Sequence, residues 1–215
     1  MTDPHRLGEA LAFAEHPAAE PPVAPWQLLT TRIEEAPLGA RVEAVRTQLR
    51  SPDGSPVDVR VAASTEQFAV VARLVSAHLC AQALGLSLDP AATDIWWQQK
   101  PGQLLQLSFA QSSIARNPLQ HGAIEQVTNT VQHLYGVSPQ VLWGNVGSAV
   151  NSTVTLLGAT RPDLVDAARD AADSFLQDPR LDGGTLHSGP AFRRHSCCLI
   201  YRAGIGMCGD CVLRS

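Results

Sequence analysis

Residues 57–85 have the sequence VDVRVAASTEQFAVVARLVSAHLCAQALG, and two interpretations compete for them. Val57, Val59 and Val61 alternate as in a strand that is buried on one face. A longer set of mostly apolar positions steps by three or four, which favours one amphipathic helix ending near Gly85. These positions are Val57, Val61, Ser64, Phe68, Val71, Val75, Leu79 and Ala83. We predict the helix, because the second pattern extends over the whole segment.

Helical patterns also precede this segment. A short helix is predicted over residues 7–15, followed by a Pro-rich stretch that we expect on the surface. A further helix is predicted over residues 40–50, where Val42, Val45 and Leu49 fall at helical spacing. The SPDGSP sequence at residues 51–56 then predicts a turn.

Three more helices are predicted after residue 116. Asn117-Pro118 opens the first and Gly136 ends it. Ser138-Pro139 opens the second, which runs to Gly158, and the third starts within residues 160–163. Short connections predict that the three pack as neighbours.

Sheet is predicted at one place only. Residues 94–110, DIWWQQKPGQLLQLSFA, combine aromatic residues with a Pro-Gly turn signal, which indicates a small β-hairpin. The fold class is therefore mainly α (α+β): a single helical domain with a small β-hairpin and an irregular C-terminal tail. We divide it into residues 1–190, of which residues 1–26 are expected to be loosely ordered, and a C-terminal segment of residues 191–215.

Charge and hydropathy exclude several function classes. The formal net charge is -4, so nothing drives the chain as a whole towards nucleic acid. No stretch approaches the roughly 20 apolar residues that span a bilayer, and the N-terminus lacks a basic segment leading into an apolar run. We therefore expect a cytoplasmic protein with no transmembrane segment.

Four of the five cysteines lie in the last nineteen residues: Cys197, Cys198, Cys208 and Cys211. Disulfides are rare in the cytoplasm, so clustered cysteines there point to a metal or to redox chemistry. Four thiolates select zinc or an iron-sulfur cluster, and the C-x-x-C half does not discriminate between the two. Adjacent cysteines are unusual in structural zinc sites. Cys80 belongs to the long helix and is interpreted as a small buried hydrophobe.

These residues resemble the siderophore-iron reductases of the FhuF type, in which a C-terminal CC…CxxC motif holds a [2Fe-2S] cluster. The resemblance rests on FRRHSCCLIYR and CGDC in the tail, on LWGNVGSAV at 142–150 and on RPDL at 161–164, and more loosely on RVAAS at 60–64. The last eighty or so residues are well matched and the first fifty-five hardly at all. Here nine residues separate Cys198 from Cys208, one fewer than in the family pattern. Nine residues still reach about 30 Å, so closure is not prevented.

The resemblance implies an oxidoreductase acting on metal ions. A [2Fe-2S] cluster held by the four tail cysteines would pass one electron to siderophore-bound Fe(III), so that Fe(II) is released in the cytoplasm for iron acquisition. The implied partners are a ferric siderophore, with the hydroxamate class favoured, and an external electron donor protein, because no flavin or nicotinamide fingerprint appears. The protein would be free in the cytoplasm or peripheral at the inner face of the membrane.

Further candidate residues flank the cysteines. Arg193, Arg194 and Arg202 would tune the cluster potential or bind an anionic siderophore or donor, or else form a solvated basic tail. The sequence predicts a larger effect at Arg202 than at Arg194. Trp143 and Asn145 match the family motif, and they serve either siderophore contact or the seating of the tail, where small Gly144 and Gly147 would permit close approach. His195 is a weaker candidate for a cluster ligand than the four cysteines.

Two other functions fit the same residues. A ferredoxin-like electron shuttle would have the cluster without a siderophore site. A zinc-stabilised module would bind the siderophore without turnover.

Overall fold

The computed structural model describes residues 7–8, 11–17, 20–86, 88, 95–100, 103–110 and 122–213. Over these residues it has six α-helices and four strands: β1 Ala14–His16, β2 Gln27–Leu28, α1 Leu29–Ile33, α2 Glu35–Gln48, α3 Val59–Ala83, β3 Ile95–Gln98, β4 Gln106–Ala110, α4 Ala123–Tyr135, α5 Pro139–Thr160 and α6 Val165–Leu176. Short 3₁₀ turns occur at Pro162–Leu164, Asp182–Gly184 and Ile200–Ala203. The prediction of a mainly α fold is confirmed.

Helix α3 is the central element. Asp58 caps its N-terminus by accepting a hydrogen bond from the backbone N–H of Arg60 at 2.8 Å. The helix packs against α2, α4, α5 and α6, so that apolar and small residues are buried all around it rather than along one stripe. The predicted helix over residues 57–85 is thus confirmed, and Gly85 follows its end with a positive φ of 73°.

The predicted hairpin is confirmed, but it belongs to a larger sheet. Strands β3 and β4 pair antiparallel, with Ile95 opposite Phe109. Strand β2 adds antiparallel to β3 and β1 adds parallel to β4, which gives the order β1-β4-β3-β2. The Pro101-Gly102 turn signal lies outside the described residues.

The short N-terminal helix prediction is wrong where the chain is described, because residues 14–16 form strand β1. This strand pairs with Ser108–Ala110, more than ninety residues away, and a three-residue strand leaves no periodicity to find. Within the segment expected to be loosely ordered, Leu7, Leu11 and Phe13 are buried in the main core.

The helices on either side of the long helix follow their predicted signals. Helix α2 is confirmed, although it begins at Glu35, five residues early. Gly136 ends α4 in the left-handed conformation, and Pro139 opens α5. Helix α4 begins at Ala123, whereas Asn117-Pro118 lies outside the described residues. Within the described part, no helix is both long and apolar enough to cross a bilayer.

The tail after α6 is irregular, as predicted, yet it is packed on the helices. Leu181, Leu186 and Phe192 are buried in the main core. The tail then crosses α3 and α5, which places the cysteines against both helices. The division of the chain at residue 190 stays a prediction.

Candidate metal centre

The contacts that hold the cysteine tail on the helices include three close to the cysteines. The Ser64 hydroxyl of α3 donates to the Cys198 carbonyl at 3.4 Å. On α5, Gly144 faces Ser196, and the Ser148 hydroxyl hydrogen-bonds the Asp210 carboxylate. One contact therefore precedes the Cys197-Cys198 pair, one lies at that pair, and one lies within the Cys208–Cys211 turn.

The backbone at the adjacent cysteines is irregular. Leu199 has a φ of 66°, in the left-handed region that residues other than glycine rarely adopt. In an extended chain the side chains of Cys197 and Cys198 would point to opposite sides. The chain therefore leaves the extended conformation immediately after the pair, where the Leu199 N–H turns back to Cys197 Sγ.

The sulfurs of Cys198 and Cys208 are in contact, with their Sγ atoms 3.6 Å apart. A tetrahedral metal with metal–sulfur bonds of about 2.3 Å holds two sulfurs about 3.8 Å apart. The pair therefore has the spacing of two ligands on one metal ion. Among the described residues, no three His, Cys, Asp or Glu side chains converge in this way.

The other two sulfurs accept backbone hydrogen bonds. The N–H of Leu199 donates to Cys197 Sγ and the N–H of Leu213 donates to Cys211 Sγ, each at 3.4 Å. Such N–H donors stabilise negative charge on sulfur, which is one way in which a protein tunes a metal–thiolate centre. Cys211 is buried, and its N–H also closes a turn to the Cys208 carbonyl at 3.3 Å.

Arg194 is the charged residue at the centre of the site. Its side chain is 2% exposed, and Nη2 donates to Cys208 Sγ at 2.8 Å. Nη1 donates to Asn145 Oδ1 at 3.0 Å, and Nε lies 3.7 Å from Asp210 Oδ2. Burial alone would lower the pKa of Arg194, but Asp210, Cys198 and Cys208 together raise it. The guanidinium is therefore a fixed positive charge against sulfur.

Two opposing effects act on the pKa of the Cys208 thiol, which accepts the hydrogen bond from Arg194. Burial raises the pKa of its thiol to about 12, although the Arg194 hydrogen bond opposes that shift. A bound metal ion deprotonates a coordinating thiol outright. With a metal ion present, Arg194 would face a thiolate.

Asn145 connects Arg194 to the helical core. Its Nδ2 donates to Ser64 Oγ at 3.0 Å and to Gln67 Oε1 at 3.0 Å. Gln67 in turn donates to Thr128 Oγ1 on α4 at 3.2 Å. This buried network links α3, α4, α5 and the tail, so the position of Arg194 is set by the core of the fold.

Trp143 lies beside Asn145 in the sequence but belongs to the core. It is 7% exposed, and the Arg180 guanidinium covers its ring at 4.6 Å from the centroid. Trp143 is therefore a packed residue of the main core. Of the two glycines expected to permit close approach, Gly144 faces Ser196 directly, whereas Gly147 has ordinary contacts to Leu186 and Phe192.

The remaining flanking residues are exposed and have hydrogen-bond partners other than the sulfurs. Arg193 is exposed and bonds the Phe192 carbonyl, and Arg202 is exposed and bonds the Tyr201 hydroxyl. His195 is exposed, and its backbone N–H donates to Asp182. The geometry thus favours Arg194 over Arg202 as the residue that acts on the sulfurs, the reverse of the expected order.

Cys80 is separate from the site. It is fully buried on α3, about 24 Å along the helix from Ser64. Burial raises the pKa of its thiol to about 12, so it is not a thiolate at neutral pH. The interpretation of Cys80 as a buried hydrophobe agrees with this position.

A cavity of about 210 Å³ adjoins the site. Its lining includes two sulfur-bearing residues and polar residues from α3, α5 and the tail: Ser64, Ser148, Arg194, Cys198, Cys208 and Asp210. The site also contains four residues that were not predicted individually: Ser64, Gln67, Ser148 and Asp210. Signals were present for three of them: Ser64 and Ser148 end or lie within the matched stretches RVAAS and LWGNVGSAV, and Asp210 is the one carboxylate inside the CGDC motif.

The tail thus defines a class of protein, one that binds metal through sulfur with a buried cation against a sulfur ligand. Residues 194–213 match the family model described as FhuF 2Fe-2S C-terminal domain, consistent with the FhuF-type family. The cofactor of this domain is a [2Fe-2S] cluster. A search of curated proteins finds no match to the chain. The donor set suits the cluster in kind, since it combines four sulfurs, two backbone N–H donors and a buried guanidinium, and Cys198 and Cys208 are the two sulfurs at ligand spacing.

Proposed function

We propose that this protein is a cytoplasmic ferric-siderophore reductase in which Cys197, Cys198, Cys208 and Cys211 hold the [2Fe-2S] cluster. The observation that carries the proposal is the family match over residues 194–213, which contain all four of these cysteines. We assign residues 1–190 to the scaffold and the acceptor side, and residues 191–215 to the cluster.

The cluster, when bound, supplies one electron at a time, the number that Fe(III) needs to become Fe(II). A siderophore that binds Fe(III) more tightly than Fe(II) lowers the potential of its iron by about 59 mV for each tenfold of preference. Reduction is therefore demanding, whereas release of Fe(II) afterwards is easy. Residues that set the potential of the donor centre consequently matter for the reaction.

Arg194 is such a residue. Reduction adds one negative charge, and the guanidinium 2.8 Å from Cys208 Sγ stabilises that charge. Because Arg194 is buried and held by Asn145, solvent screens it weakly. Asp210 offsets part of this positive charge and keeps the guanidinium oriented.

The cavity bears on how the acceptor binds. At about 210 Å³ it is smaller than the 300–1,000 Å³ of a typical site for a drug-sized ligand. We infer that a ferric hydroxamate siderophore docks at the mouth of the cavity rather than entering it. An external donor protein then reloads the centre.

The first experiment is anaerobic analysis of iron, sulfide and zinc, followed by reduction and mixing with a ferric trihydroxamate siderophore and an Fe(II)-specific chelator. We expect two irons and two sulfides per chain, and Fe(II) release that saturates with siderophore. Ferricyanide serves as a general acceptor for comparison. Zinc without sulfide would contradict the cluster, and non-saturating transfer to every acceptor alike would indicate an electron shuttle.

A further inference from the structure

The four sulfurs fall into two unlike pairs. Cys198 and Cys208 have sulfurs 3.6 Å apart, the spacing of two ligands on one tetrahedral iron. Each iron of a [2Fe-2S] cluster takes two protein sulfurs in addition to the two bridging sulfides. Assigning Cys198 and Cys208 to one iron therefore leaves Cys197 and Cys211 for the other.

The electrostatic surroundings of the two pairs also differ. Cys208 accepts a charge-assisted hydrogen bond from a buried guanidinium at 2.8 Å. Cys197 and Cys211 accept neutral backbone hydrogen bonds at 3.4 Å. Asp210 is the opposing charge, but its Oδ2 lies 3.7 Å from Nε of Arg194, whereas Nη2 is the atom that faces the sulfur. The positive potential is consequently greater at the Cys198–Cys208 pair.

We propose that Cys198 and Cys208 hold the iron that becomes ferrous on reduction, and that Arg194 determines this choice. The inference rests on the proposed function, in which the four tail cysteines hold the cluster. One electron from an external reductant converts one Fe(III) to Fe(II) with no bond made or broken. The added charge is most stable on the iron whose ligand contacts a buried cation.

The cavity lies beside the pair of cysteines that we assign to the reducible iron. Cys198 and Cys208 line the cavity, while Cys197 and Cys211 are absent from its described lining. The reducible iron thus faces the side on which we place the acceptor. Arg194 acts through Cys208 as a positioning residue for the electron.

The first test uses ⁵⁷Fe-enriched protein that has been reduced, with Mössbauer spectra to separate the ferrous and ferric components. Because Arg194 determines which iron takes the electron, we expect Arg194→Gln to shift the ferrous component or divide it between the two irons, and to change the ferric component with it. The equilibrium constant for reduction should fall about tenfold, which is 59 mV for a one-electron couple. Arg194→Lys should restore part of this loss because it keeps the charge without the planar donor pair. Arg169→Gln, which removes an exposed arginine of α6 outside the tail, is the control.

The second test addresses the pairing in the wild-type protein, where no ligand is removed. The amides of Leu199 and Leu213 bond to the sulfurs of Cys197 and Cys211, so their paramagnetic shifts report the iron bound by that pair. In the reduced protein they should show ferric rather than ferrous behaviour. A ferrous signature at these amides would overturn the assignment.

Iron and sulfide content distinguishes a failure of the proposed function from a failure of this inference. Protein that lacks two irons and two sulfides per chain would contradict the proposed function itself. A full cluster whose ferrous component does not respond to Arg194→Gln would overturn this inference and leave the proposed function in place.

Discussion

Gly144 of α5 lies directly against Ser196 of the tail. A Cβ at Gly144 would overlap the Ser196 hydroxyl and come within 3.3 Å of its Cβ and 3.7 Å of Arg194 Cδ. The absence of a side chain at Gly144 therefore sets how closely the tail approaches the helix. Because Ser196 immediately precedes Cys197, this distance also positions the first of the adjacent cysteines.

Gly144→Ala should loosen the cluster without unfolding the protein. The overpacked contact costs about 1–3 kcal/mol, while alanine in a helix interior returns about 0.5–1 kcal/mol. The difference is a net loss of up to about 2.5 kcal/mol in the free energy of unfolding, and we expect several-fold faster loss of iron to a chelator. Gly147→Ala is the matched control, since its Cβ would have ordinary contacts at 3.5 and 3.7 Å. Equal iron retention in the two variants would contradict the role of Gly144.

Replacement of any one of Cys197, Cys198, Cys208 or Cys211 by Ser should remove the cluster or make it labile. A [2Fe-2S] centre takes four protein ligands, and only these four cysteines lie together in the sequence. Iron, sulfide and the visible spectrum of anaerobically purified variants measure the effect. Cys80→Ser should keep the full cluster, although a buried hydroxyl costs about 1–3 kcal/mol of stability. Full occupancy in Cys198→Ser, or cluster loss in Cys80→Ser, would require a different ligand set.

The helices were predictable because their signals are local. The spacing of apolar residues predicted α3, and Gly136 and Pro139 marked the end of α4 and the start of α5. Strands β1 and β2 were missed because each is two or three residues long and exists only through pairing with a distant hairpin. No local pattern in the sequence encodes such a pairing.

The site, too, has residues that could be predicted from the sequence and residues that could not. The cysteines could be found from their number and spacing, which is a property of the sequence. The predicted order, Arg202 above Arg194, is the reverse of the order that the geometry favours, because burial of Arg194 depends on Asn145. Ser64, a partner of Asn145, lies eighty-one residues away in the sequence. Sequence proximity to the cysteines is common to Arg193, Arg194 and Arg202, and only the tertiary structure distinguishes them.

Asn145→Ala should weaken both the fold and the orientation of Arg194. The substitution leaves the buried Arg194 Nη1 and Gln67 Oε1 without their Asn145 partner. Each unsatisfied buried group costs about 1–3 kcal/mol, so a loss of stability in that range or above is expected from urea unfolding. The midpoint potential should also fall, because Arg194 is no longer held against Cys208.

The control for this variant is Asn129→Ala, which removes an exposed asparagine from α4. It should change the free energy of unfolding by no more than about 0.5 kcal/mol. If both asparagine variants kept wild-type stability and potential, the buried network would have no role in setting Arg194.

Arg202→Gln should alter partner docking rather than the cluster potential. Arg202 is exposed, and solvent ions screen its charge over about 8–10 Å, whereas Arg194 is buried. We therefore expect a midpoint shift several-fold smaller than that of Arg194→Gln. If Arg202 attracts an anionic siderophore or donor, electron transfer at low ionic strength should slow, and its salt dependence should weaken. Redox titration and stopped-flow oxidation by ferric siderophore at two salt concentrations measure the two effects separately.

Arg169→Gln, at an exposed position of α6 outside the tail, should change neither quantity. A midpoint shift as large as that of Arg194→Gln, or unchanged rates at both salt concentrations, would contradict a docking role for Arg202.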